Sequence, residues 1–126
     1  MGEEIIINSI TIDCGDPKAL SDFYMRLLQW EKTYEDESFI SLKAPSGNIR
    51  IGFQKNEYYI PPVWPETPGT QQQQVHLDFK ARDKEHMNKL VEYAIQCGAK
   101  KAEMQYSDLW TVMLDPVGHP FCFDTL

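Results

Sequence analysis

The 126-residue chain carries 12 Lys and Arg against 19 Asp and Glu, a net charge of −7. This acidity argues against non-specific nucleic-acid binding, which needs clustered basic side chains, and no apolar run is long enough to span a bilayer. The apolar and charged fractions are those of an ordinary globular protein. Neither the start Met1-Gly2-Glu3-Glu4 nor the three cysteines, Cys14, Cys97 and Cys122, suggests a signal peptide or a disulfide framework, so a cytoplasmic protein with reduced thiols is expected.

Residues 5–14 are rich in β-branched side chains and read as a strand. Asp16-Pro17 supplies an N-cap and a first-turn proline, and Leu20, Phe23, Tyr24, Leu27 and Leu28 give the following helix a buried stripe. Residues 30–34, 39–43 and 48–54 read as three strands, with turns at Asp36-Glu37 and Pro45-Ser46-Gly47. Residues 55–74 hold four prolines, Gly69 and the run 71–74 of glutamines, a linker or lid in which Tyr58, Tyr59 and Trp64 call for a packing partner. The second half repeats the order. Residues 75–80 form a strand, Asp83 caps a helix with Met87, Leu90, Val91 and Ala94 on one face, and Gly98 ends it. Residues 101–105, 111–114 and 120–124 are then strands.

The chain therefore says one thing twice. Ser9-Ile10-Thr11-Ile12-Asp13 is echoed by His76-Leu77-Asp78-Phe79-Lys80, and Pro45-Ser46-Gly47 by Pro116-Val117-Gly118. The reading is an α+β domain of two tandem βαβββ modules, 1–54 and 75–126, whose mixed sheets form a shared open cup. Strand alternation turns Ser9, Thr11 and Asp13, His76 and Asp78, and Cys122 and Asp124 away from the helices. His76 beside Asp78 is a candidate general base with its orienting carboxylate. Cys122, flanked by Phe121 and Phe123, reads as a buried thiol more readily than as a nucleophile. Phe53, Tyr58, Trp64, Tyr106 and Trp110 are candidate aromatic walls for an organic ligand, with Ser9, Asp13 and Cys122 beside them.

The motifs Asp16-Pro17, Phe23-Tyr24, Leu28-Gln29-Trp30, Val75-His76-Leu77-Asp78, Cys97-Gly98-Ala99 and Asp115-Pro116-Val117-Gly118-His119-Pro120-Phe121-Cys122 resemble those of the vicinal oxygen chelate superfamily. That superfamily includes glyoxalase I, extradiol dioxygenases and bleomycin-resistance proteins, and the likeness is to its glyoxalase-like domain branch. The resemblance implies a metal held at four matched points, the first and last strand of each module, which fall on Ser9, His76, Ile51 and Cys122. Ile51 has no donor atom, so no cofactor is expected. A divalent ion, if bound, would use His76 with Asp78, Asp13 or Cys122. The expected partners are a small-molecule ligand and, by the same resemblance, a second copy in a homodimer. Two functions follow: a protein that binds a small organic molecule, or a divalent-metal lyase, isomerase or dioxygenase.

Overall fold

The computed structural model describes residues 3–126. The chain divides into two units, one ending at Tyr59 and the other spanning Ile60–Leu126. Most of the Pro-rich segment thus belongs with the second unit. Among the described residues no helix is long and apolar enough to cross a membrane.

The first unit runs β1 (Ser9–Cys14), α1 (Pro17–Leu28), β2 (Glu31–Glu35), β3 (Phe39–Lys43) and β4 (Arg50–Lys55). The Asp16 carboxylate accepts from the N–H groups of Lys18 and Ala19 at 3.1 and 3.2 Å, satisfying two of the donors that a helix start leaves unpaired. Gln29, left-handed at φ 60°, closes the helix through its N–H to the Met25 carbonyl. The sheet order is β1-β4-β3-β2, with β1 and β4 parallel and the other pairs antiparallel. Ile51 and Phe53 are buried on the side of the sheet that α1 covers, and Phe53 stacks on Tyr24 with ring centroids 5.5 Å apart. The strand expected from residue 5 begins instead at Ser9. Its partner β4 starts at Arg50, opposite Ser9, so Ile5, Ile6 and Ile7 have no strand of this sheet to pair with and are exposed.

The second unit repeats the order with β5 (Leu77–Lys80), α2 (Lys84–Cys97), β6 (Lys100–Lys101), β7 (Trp110–Leu114) and β8 (Pro120–Asp124). Asp83 accepts from the His86 N–H at 2.8 Å, and Gly98, at φ 123°, ends α2 in a conformation that a side chain would oppose. The order β5-β8-β7-β6 matches that of the first sheet strand for strand. α2 buries Met87, Val91 and Ala94 on the face where Met113, Phe121 and Phe123 lie, and the rings of Phe79, Phe121 and Phe123 pack on one another. The molecule is α+β with two tandem βαβββ modules, as the repeat implies.

In this unit β5 and β6 differ from expectation. β5 starts at Leu77 rather than Val75, which is exposed, leaving His76 just ahead of the strand. β6 ends after Lys101 because the Gln105 side chain takes over the ladder. Its Nε2 donates to the Ala102 and Val112 carbonyls at 2.8 and 2.9 Å, and its Oε1 accepts from the Val112 N–H at 2.8 Å. At about 0.5–1.5 kcal/mol net per bond, Gln105→Ala is expected to lose about 2–4 kcal/mol in urea unfolding. A loss below about 0.5 kcal/mol would show that the backbone finds its own partners there.

Candidate functional site

In the second sheet the face away from α2 is set by register. Asp78 lies opposite Cys122, Cys122 opposite Val112, and Asp124 opposite Trp110. Over this face comes Trp64 from the Pro-rich segment. Its indole N–H donates to the Met104 carbonyl at 3.2 Å, its ring meets the edge of Tyr106, and it packs on the cluster of Ala102, Val112 and Cys122. Between these elements is a pocket of about 370 Å³, within the range of small-molecule sites, lined by second-unit residues. Trp64 and Trp110 wall it, and His76, Asp78, Asp124 and Cys122 contribute polar groups.

His76 Nε2 lies 3.2 Å from Asp78 Oδ1, the pairing that strand alternation implied. With that nitrogen donating, Nδ1 is the imidazole's acceptor, and Asp78 fixes the ring's orientation. Donor atoms of His76, Asp78 and Cys122 all lie within 4.8 Å of one another. Burial first, then the charge of Asp78, a hydrogen bond to it and the charge of Asp124, push the Cys122 thiol up to about 12. Cys122 is therefore a protonated donor at neutral pH rather than a nucleophile.

This has a measurable consequence. The folded state holds the Cys122 proton more tightly than the unfolded state, whose thiol titrates near 9. The resulting stabilisation is complete below pH 9 and is lost as the pH climbs towards 12. The fall in urea midpoint between pH 8 and about 10.5 should be smaller in Cys122→Ala than in the parent protein. Equal slopes would contradict the thiol's assignment.

The remaining candidate residues lie in the first unit, and none lines this pocket. Ser9 is half-buried at the head of β1, and its Oγ is buried without a hydrogen-bond partner. Asp13 accepts from Asn56 Nδ2 at 3.2 Å. Tyr58 is exposed. Phe53, expected as a ligand wall, is fully buried between sheet and helix.

The matched last-strand point also moves by one residue. Counting from the turn glycines pairs Ile51 with Cys122, yet Ile51 faces α1 just as Phe121 faces α2. The cause is turn length: the Ala44 N–H bonds the Ile49 carbonyl in one module, whereas Asp115 bonds His119 in the other, one residue closer. The counterpart of Cys122 is Gly52, each the middle residue of its five-residue Arg50-to-Gln54 or Pro120-to-Asp124 stretch. A Cβ at Gly52 would stand 2.5 Å from Phe39 Cζ, so the ring fills the space a side chain would use. Glycine offers no side-chain ligand, and the four-point metal set does not fit this chain.

Sequence reasoning missed Glu66 and Gln73, which line the pocket from the Pro-rich segment. A polar side chain in a stretch without periodicity gives no sign of where it points.

The model of the glyoxalase-like domain matches residues 9–123. No curated protein matches the chain. Among solved structures, a glyoxalase/bleomycin resistance protein/dioxygenase family enzyme from Burkholderia phytofirmans PsJN is similar at 26% identity, with 94% of this chain and 96% of that one covered and a TM-score of 0.69. A glyoxalase-related enzyme from Fulvimarina pelagi, 14% identical over 96% of this chain and 88% of that one, shares the fold at a TM-score of 0.70. So does a glyoxalase family protein from Enterococcus faecalis, 21% identical over 94% and 96%, at 0.64. With a domain match over almost its whole length and the same two-module topology, the chain belongs to the glyoxalase-like domain family of the vicinal oxygen chelate superfamily.

Proposed function

We propose that this protein binds a small organic molecule in the pocket of its second unit and does so without the superfamily's four-point metal set. The observation that carries the reading is the pocket itself, about 370 Å³ between Trp64 and Trp110, with the His76–Asp78 pair at its wall. Flat aromatic walls contribute apolar area and stacking to any ligand with an apolar body. His76, held by Asp78, is the group able to accept a proton from a bound molecule.

A second reading rests on a specific observation, the convergence of His76, Asp78 and Cys122 within 4.8 Å. It makes the protein a divalent-metal lyase, isomerase or dioxygenase with a three-donor site inside one unit. One experiment separates the two: a screen of small aromatic molecules by thermal shift in buffer with a strong chelator. A ligand that raises Tm there supports the metal-free reading, by the linkage between binding and folding. Stabilisation seen only with added divalent metal and lost in His76→Ala would overturn it.

A further inference from the structure

The charged groups around the pocket are unbalanced. Glu66, Asp78 and Asp124 line it, and among the described residues no lysine or arginine does. Among the described residues that line it, only His76, against its Asp78 partner, can carry positive charge. Lys80 neighbours Asp124 across the ladder, yet its ammonium turns to a main-chain oxygen of Leu126 at 3.4 Å and does not line the pocket.

The hydrogen-bonding groups lean the same way. Gln73 Oε1 is buried with no partner, and Gln73 lines this pocket. The Trp64 indole N–H is already spent on Met104. An unpartnered buried acceptor beside three carboxylates favours a ligand that donates. The walls add a further preference, because the faces of Trp64 and Trp110 attract cations through the ring quadrupole.

We infer that the ligand of this pocket is an organic cation, an amine with an aromatic or aliphatic body, its ammonium among Glu66, Asp78 and Asp124 and its body against the tryptophans. This rests on the pocket-binding reading and narrows it. A desolvated cation gains from the carboxylates and from the rings together, whereas a carboxylate would be repelled.

The test compares three probes with one body and different charge: phenethylamine, 2-phenylethanol and 3-phenylpropionate, titrated calorimetrically into the full chain at neutral pH. The amine should bind about tenfold or more tighter than the alcohol, with the carboxylate weakest. The advantage should shrink as salt is raised. Asp124→Asn should remove much of the amine's advantage over the alcohol, and Glu66→Gln, at an exposed position, should do so to a smaller degree. An alcohol or carboxylate that matches the amine would overturn the cation assignment and leave the pocket reading intact. No binding by any of the three up to about 10 mM would overturn both.

Discussion

Replacing Trp110 with alanine is expected to weaken ligand binding by about 2 kcal/mol, roughly 30-fold, and Trp64→Ala by a similar amount. Both rings are half-buried and line one pocket, Trp110 from β7 and Trp64 from the segment before β5. An aromatic ring that loses its remaining exposure to a ligand gains burial and stacking together, the reason tryptophans dominate many binding sites. The two substitutions differ in what else they disturb. Trp64 also holds the Pro-rich segment down through its bond to Met104 and its contact with Tyr106, so its loss should lower Tm as well as affinity. Trp110 sits in the ladder opposite Asp124, where the backbone pairing persists without the ring. A change in Kd below about threefold for Trp110→Ala would mean that the ligand sits elsewhere.

Phe53→Ala is expected to have the largest effect on stability, a loss of about 3–5 kcal/mol by urea unfolding. Phe53 is fully buried, stacks on Tyr24 and stands on the α1-facing side of β4, where truncation opens a cavity that the sheet and helix cannot close. Phe53 was one of a set of candidate aromatic ligand walls, and the structure makes it a core residue. A loss below about 1 kcal/mol would show that the core relaxes around the gap.

Much of the fold was legible because it is written in local chemistry. Asp16 and Asp83 cap the helices they were expected to cap, and Gly98 ends α2 where a left-handed residue was needed. Of the expected stripe, Leu20, Phe23, Tyr24 and Leu27 are buried and Leu28 is half-buried at the helix end. The pairing of His76 with Asp78 agrees with their two-residue spacing, although His76 lies just ahead of β5. What escaped depends on pairing between distant strands. The turns Pro45-Ser46-Gly47 and Pro116-Val117-Gly118 look alike, but one extra residue in the first shifts the register of everything after it. A one-residue slip exchanges the two faces of a strand, so Ile51 became a core residue and Gly52 took the matched position. The short β6 was illegible for another reason, since the Gln105 side chain imitates a backbone group and no propensity signals it. Glu66 and Gln73 reach the pocket from a segment without regular structure.

The proposed binding of an organic ligand at the aromatic-walled face of the second sheet is open to direct measurement. The measurement is two-dimensional amide and indole NMR of the labelled chain during titration with phenethylamine. The indole N–H signals of Trp64 and Trp110 and the backbone signals of Asp78 and Cys122 should shift together and saturate with one Kd. Saturable shifts that leave both indoles and both backbone signals unmoved would contradict the proposal.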